Sequence, residues 1–422
     1  MPDVGLLTPG ADLAPGSPAA VTDDVAVLRA MLAAEAAWVR AQARCGVVPV
    51  AVVPVVDRAV VALAADDGAA LALATEVARD AAGGGNPVIP LLARLRAAVE
   101  SGCGPAVEAG VPVADVVGAV HAGLTSQDVL DTALVLVLRD AARATDAGLG
   151  RAVAAAAVLA RRHRDLPALG RTLTQPAVPT TLGARCAGWL QGAAEARARL
   201  DDATRALPLA YGGAAGTLAG TVSLSPSGEA LELVDAWAAE LGLPTTAGPW
   251  HVTRFPVVRA ATALAEACAA LGTVAADVLV GARAEVGELR EPAAPGRGAS
   301  SAMAHKHNPV LSVLVRRSAL AAPPLAAQVL ASAGQAVDER PDGAWHAEWP
   351  ALQQLARHAV GAAHAAAELL AGLGVDGAAV ARNLREQLDL PSAGRVDTGE
   401  AAALVDRVLA RYSPESAEAG ER

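Results

Sequence analysis

Thr253-Arg-Phe-Pro-Val-Val-Arg-Ala-Ala-Thr-Ala-Leu-Ala-Glu-Ala-Cys-Ala-Ala-Leu-Gly-Thr-Val-Ala-Ala-Asp-Val-Leu-Val-Gly281 reads as part of one long helix. Phe255, Val258, Ala261, Leu264, Leu271, Val274 and Val278 recur at helical steps and form one apolar stripe, with arginines and acids elsewhere. The pattern runs on to about 289, and three more stretches share its texture: 126–163, 180–207, and 309 to beyond 331. A long helix with a single apolar stripe must bury it against others like it, so the chain is expected to be all-α, an elongated bundle of long helices. Gly- and Pro-bearing loops separate them at 166–179, 208–227, 243–250 and 290–307.

Outside the bundle the helices shorten. Thr22, Asp23 and Asp24 are N-cap candidates for a helix with Val25, Leu28, Leu32, Ala36, Val39 and Ala43 on one face, stopped by Gly46. Shorter helical stretches follow at 54–65, 68–82 and 89–100, the last two separated by Gly83-Gly-Gly-Asn-Pro87. A smaller helical piece follows residue 372. The 422 residues exceed what one core usually organises and divide into a small helical domain at 1–105, a central bundle at 106–347 and a helical domain at 348–422.

Composition narrows the function. Apolar residues make up 53% of the chain with only six Trp, two Tyr and one Phe, which suits closely packed helices. A net charge of −10 argues against a nucleic-acid surface but not against a small anion held in a local pocket of cations. Cys45, Cys103, Cys186 and Cys268 are far apart with no CxxC pair, so reduced thiols in a cytoplasmic protein are expected, with neither zinc nor disulfides. No signal peptide is read at the start, and charged residues interrupt the apolar runs short of the roughly 20 residues that span a bilayer. No membrane or nucleic-acid partner is expected.

The chemistry concentrates in Gly296-Arg-Gly-Ala-Ser-Ser-Ala-Met-Ala-His-Lys-His-Asn-Pro-Val310. Of 34 basic residues, Lys306 is the one lysine and the other 33 are arginine, so a compact ammonium sits where the chain otherwise uses guanidinium. Asn308 is an N-cap candidate and Pro309 suits the first helical position, which would aim a positive helix end into the loop. Ser300, Ser301, His305, Lys306 and Asn308 together offer hydroxyls, an imidazole, an ammonium and an amide to one anion. Four further polar stretches lie at helix starts or in loops: His121-Ala-Gly-Leu-Thr-Ser-Gln-Asp-Val-Leu-Asp131, 170–183, Pro249-Trp-His-Val-Thr-Arg254, and Asp338-Glu-Arg-Pro-Asp-Gly-Ala-Trp-His-Ala-Glu-Trp349. Thr125 and Ser126 can cap the following helix, hold a carboxylate, or both. Asp128 and Asp131 are read as countering that helix's dipole rather than binding a metal. Taken singly, each stretch is equally well explained by capping or by a solvated rim.

Together they resemble the fumarase/aspartase superfamily, whose members carry three separated signature regions and a Ser-Ser-x-Met-Pro-x-Lys-x-Asn-Pro loop. Within it, Thr125-Ser-Gln-Asp128, Ala302-Met-Ala-His-Lys-His-Asn-Pro309 and Gly343-Ala-Trp-His-Ala-Glu-Trp349 are most similar to the 3-carboxy-cis,cis-muconate cycloisomerases. Region 35–49 and Gly85-Asn-Pro-Val-Ile-Pro90 fit as well, so the likeness covers nearly the whole chain. The resemblance implies a homotetramer with each active site built from three chains, acting without cofactor or metal. It implies Ser300 as the proton-transfer group and Lys306 as the cation that stabilises a carboxylate-delocalised carbanion. It implies Thr125, Ser126, Gln175, Arg254, Ser301, His305, Asn308 and Arg340 as substrate-binding residues, for lactone formation in the protocatechuate (beta-ketoadipate) breakdown of aromatic acids.

Three departures bear on the substrate. Where the adenylosuccinate and argininosuccinate lyases carry a proton-donating histidine, this chain has Leu173, which suits a leaving group that departs as a stable anion. Ala304 replaces the loop proline, and His307 stands where the cycloisomerases resemble one another in an arginine. These keep open a second expectation, a superfamily lyase that removes a small group from a succinate-type substrate, nitrosuccinate or adenylosuccinate, to give fumarate. A third is a catalytically silent helical oligomer.

Overall fold

Side-chain caps mark where the chain turns into helix. Asp23 accepts the Ala26 N–H at 2.7 Å and starts α1 (Asp24–Arg44), and Asp66 accepts that of Ala69 at 2.8 Å to start α3 (Asp67–Asp80), after α2 (Val53–Leu63). With α4 (Val88–Ser101), α5 (Gly104–Glu108) and α6 (Val113–Gly118) these form the N-terminal helical unit. The computed structural model describes residues 7–10, 13–225, 228–300, 303, 306–391 and 394–413.

The bundle follows. Helix α7 (Ser126–Arg162) leads into a hairpin of β1 (Pro167–Thr172) and β2 (Gln175–Thr181), then α8 (Leu182–Arg205) returns antiparallel. After the short α9 (Ala219–Val222) and α10 (Ala230–Leu241) come α11 (Phe255–Gly281), β3 (Leu289–Arg290), α12 (Val310–Ala333) and α13 (Gly343–Ala371). The chain closes with β4 (Gly374–Val375), which pairs with β3, then α14 (Gly377–Gln387) and α15 (Ala401–Tyr412). Helices α7 and α13 run side by side in one direction. Trp345 Nε1 donates to Asp131 at 2.9 Å near their starts, and further along a Cβ on Gly148 would stand 2.7 Å from that of Ala363. Only glycine permits so close an approach there.

The chain is mostly helical, as its periodicity predicts, with one connected apolar core. Leu264, Leu271, Val274 and Val278 of the α11 stripe are buried, each contributing roughly 1.5–3 kcal/mol of apolar burial. Phe255 is an exception: at the first position of α11 it is 69% exposed. Three differences from the expected pattern stand out. Region 166–179 is not a plain loop but the greater part of the β1–β2 hairpin, with a bulge between Leu169 and Arg171. Residues 343–371 form one unbroken helix, so the division expected at 347/348 falls inside α13. Helices α11 and α12 are, by length and composition alone, long and apolar enough to cross a bilayer, in spite of the charges that interrupt them. Here α11 packs between α8, α12 and α13, whereas α12 leaves Val313, Leu320 and Leu330 on the chain's surface.

Candidate active site

At the end of the bundle where α7 and α11 begin, the sequence stretches at 121–131, 249–254 and 338–349 converge on a buried ion cluster. Arg254, 2% exposed, donates through Nη1 and Nη2 to Asp131 at 2.6 and 2.9 Å, and through Nε and Nη2 to Glu348 at 3.1 and 2.8 Å. Trp250 lies 4.8 Å beneath the guanidinium. Burial opposes the Arg254 charge, but Asp131 and Glu348 outweigh it and hold the guanidinium firmly protonated. Burial pushes the Glu348 carboxyl above its ordinary range, with Arg254 pulling the other way.

Gln127 extends the cluster. Its amide donates to Asp131 and to the His251 carbonyl, both at 3.1 Å, and accepts from Arg340 Nη1 at 3.0 Å. Arg340 Nη2 donates to the carbonyls of Gly213 (3.0 Å) and Ala214 (2.8 Å). Asp128, fully buried, closes the capping box by accepting the Thr125 N–H at 2.9 Å and also accepts the Gly213 N–H at 3.2 Å. His251 Nε2 stands 2.8 Å from Asp128 Oδ1, though not aligned as a hydrogen bond. On the α1 side His121 Nδ1 lies 2.6 Å from Glu35 Oε1, a pairing across 86 residues that nothing local in the sequence announces.

Two expectations change at this end. Arg254 is not a substrate cation, because its donors are spent on two buried carboxylates. Asp131 is its partner rather than a mere dipole complement. Thr125 and Ser126, half-exposed at the start of α7, remain available to a ligand, and the cluster below fixes them in place.

The opposite end carries the lysine loop. Helix α12 starts at Val310, not at Pro309, and its cap is not Asn308. Glu291, twenty residues upstream, accepts the Leu311 N–H at 3.0 Å and the Ser312 N–H at 2.7 Å. The helix end that was expected to receive an external anion thus already holds an internal one. The Asn308 N–H and Nδ2 both donate to the Gly298 carbonyl, at 2.9 and 3.2 Å, and form the neck of the loop. Gly298 is required there: its φ is +73° and a Cβ would lie 2.7 Å from the Asn308 oxygen. Beyond the neck, Ser300 Oγ accepts the Met303 N–H at 3.2 Å. Lys306 is exposed and makes no ion pair among the described residues. Ser301, Ala304 and His305 lie outside the described residues.

The hairpin projects at this same end. Leu173 and Thr174 form its tip with φ of +49° and +69°, and Leu173 is 96% exposed. Gln175, next to them and exposed, donates to Thr174 Oγ1 at 3.3 Å. Two residues before the tip, Arg171 pairs with the buried Glu288.

Helix α11 separates the two ends with 27 residues, about 40 Å at 1.5 Å per residue. The chain therefore brings Ser300, Lys306, Asn308 and the hairpin to one end, and Thr125, Ser126 and Arg340 to the other. No single copy closes all of them around one small molecule. Among the described residues, no group of three His, Cys, Asp or Glu side chains is placed to hold a metal.

The chain is similar to known lyases and cycloisomerases along most of its length. A model of the lyase family matches residues 24–322. Nitrosuccinate lyase of Streptomyces davaonensis is 45% identical over 413 residues, covering 97% of this chain and 82% of that protein. A 3-carboxy-cis,cis-muconate cycloisomerase of Bradyrhizobium diazoefficiens is 41% identical over 368 residues, 86% of this chain and 76% of that one. Among solved structures, the 3-carboxy-cis,cis-muconate lactonizing enzyme from Pseudomonas putida superposes with a TM-score of 0.77 at 32% identity, covering 95% of this chain and 89% of its own.

Proposed function

Because the chain belongs to the lyase family of the fumarase/aspartase superfamily, we propose that it removes nitrite from a nitrosuccinate-type dicarboxylate to leave fumarate. The observation that carries this choice is the supply of cations. Arg254 is neutralised by Asp131 and Glu348, and Arg340 keeps its charge but has its Nη atoms on Gln127 and two carbonyls, so among the described site residues the exposed ammonium of Lys306 is the cation best placed to meet the substrate. That favours a dianion over the three carboxylates of a muconate. Similarity to nitrosuccinate lyase along nearly the whole chain points the same way.

Ser300 takes the proton from the carbon beside one carboxylate. The C–H electrons form the new C=C bond, the C–N bond breaks, and its electron pair leaves on nitrite. A serine hydroxyl is a weak base unless its alkoxide is stabilised; the Met303 N–H on Oγ and the Lys306 charge nearby in sequence supply that stabilisation. Lys306 also meets the charge that builds on the carboxylate as the carbanion forms. Nitrite leaves as a stable anion and needs no acid, which agrees with an apolar Leu173 at the hairpin tip.

A second reading, lactonisation of 3-carboxymuconate, is supported by the resemblance of 125–128 and 343–349 and by the lactonizing-enzyme structure. There the substrate's own carboxylate closes on the double bond and Ser300 delivers the proton. Purified protein given nitrosuccinate should release nitrite and fumarate in equal amounts while leaving 3-carboxymuconate absorbance and adenylosuccinate untouched. Loss of the muconate chromophore without nitrite release would transfer the assignment to the second reading, and inertness toward all three would sink both.

The division of site residues between the two ends supports assembly from several copies, a homotetramer, with the exposed Val313, Leu320 and Leu330 seam of α12 as apolar surface for it. A Lys306→Ala chain and a Thr125→Ala/Ser126→Ala chain, each inactive alone, should regain about a quarter of wild-type activity when dissociated, mixed equally and reassembled, since random mixing leaves that share of sites intact at both ends. A mixture no more active than its parents would show that each site lies within one copy.

A further inference from the structure

Glu288 sits where the stem of the lysine loop leaves the end of α11, and it is fully buried. Its carboxylate accepts two hydrogen bonds from Arg171 on β1, at 3.1 and 2.5 Å, and one from Asn383 Nδ2 on α14 at 2.9 Å. Arg185 Nη1 of α8 stands 3.6 Å away, and its Nη2 donates to the Leu169 carbonyl of β1 at 3.0 Å. Asn383 Nδ2 also donates to the Val286 carbonyl at 2.8 Å, and the Glu288 carbonyl accepts the Asp376 N–H at 3.0 Å. Burial alone would raise the Glu288 carboxyl, but Arg171, Asn383 and Arg185 hold it below the usual carboxylate range. Three residues on, Glu291 caps α12. Residues 288–291 thus tie the loop's stem to the hairpin, to α8, to the C-terminal piece and to α12.

Stability alone is a poor reason for such a clasp, because a buried ion pair can often be replaced by apolar side chains of similar volume at no loss. What apolar packing does not supply is one fixed geometry: a bidentate fork sets distance and orientation together. We propose that Glu288 is a positioning residue for the reaction, holding the stem of the loop that bears Ser300 and Lys306 in fixed register with the hairpin that bears Leu173 and Gln175. It rests on the assignment of Ser300 and Lys306 to the reacting loop. Neither Glu288 nor Arg171 touches substrate; each acts through the backbone it anchors.

The test is the paired substitution Glu288→Met with Arg171→Met, which removes the bidentate pair and roughly keeps the volume, while Arg185 keeps its contact with solvent and its bond to the Leu169 carbonyl. The thermal midpoint should stay near wild type, kcat for nitrite release should fall about 100-fold, the cost of misplacing reacting groups by an ångström, and KM should change little. Arg171→Lys, which keeps the charge but loses the fork, should give the same split and serves if the paired variant does not fold. Hydrogen exchange of backbone amides at 296–300 and 306–310 should quicken in both variants, a readout that needs no substrate. Wild-type kcat in a folded variant overturns the proposal. Should wild type release no nitrite, the function fails separately and the exchange decides: unchanged exchange overturns the clasp, and faster exchange upholds it.

Discussion

Lys306→Arg and Ser300→Ala should each lower kcat/KM for nitrite release by about 10³-fold or more, with the folded state unharmed, since removing a single preorganised donor to a developing oxyanion already costs about 10²–10³-fold. Lys306 is exposed with no ion pair among the described residues, and Ser300 is half-exposed in a loop, so neither holds the bundle together. Surface changes of this kind usually move stability by no more than about 0.5 kcal/mol. Arginine keeps the charge, but its broad planar fork spreads that charge over three nitrogens and cannot stand in for a compact ammonium against one carboxylate. The measurement is kcat/KM beside the thermal midpoint. Near-wild-type kcat/KM in either variant would remove that residue from the mechanism.

Arg254→Met should act in the opposite way, costing about 3–5 kcal/mol of folding stability, the usual penalty for leaving a buried charge without its partner. Here two carboxylates are stranded: Asp131 is fully buried, and Glu348 is 1% exposed. Urea unfolding should show the midpoint falling with an unchanged slope, the mark of lost stability rather than an altered unfolded state. Asp131→Asn and Glu348→Gln added to Arg254→Met should recover much of the loss, because the cost lies in the unpaired charges and not in the missing guanidinium. Had Arg254 been a substrate cation, its replacement would raise KM and leave the midpoint alone; that result would return it to the binding site.

The contrast between these two cations shows what a sequence can and cannot carry. Lys306 stands out as a candidate because its signal is local: a lone lysine among arginines, in a glycine-rich loop, with Ser300 and Asn308 within a few residues. Arg254 follows a Trp-His stretch at a helix start in much the same style, but its meaning depends on partners 123 and 94 residues away. An arginine at such a place reads alike whether it faces a ligand or a core acid. A separation of twenty residues was already enough to hide Glu291, which takes over the capping role that local spacing assigned to Asn308. The helices were legible because period and caps are short-range, as Asp23 and Asp66 illustrate. The hairpin was not: Pro176 and Pro179 weaken the strand pattern, and its tip uses Leu173 and Thr174 at positive φ where Asn-Gly would have announced a turn.

The separation of the site residues by the length of α11 has a consequence for the enzyme in dilute solution. If each site draws on both ends of the bundle, an isolated chain is folded but inert, and association becomes part of turnover. Specific activity then depends on protein concentration, falling on dilution below the dissociation constant of the assembly. A substitution on the α12 seam, far from any reacting atom, would register first as lost rate and only afterwards, if at all, as lost structure.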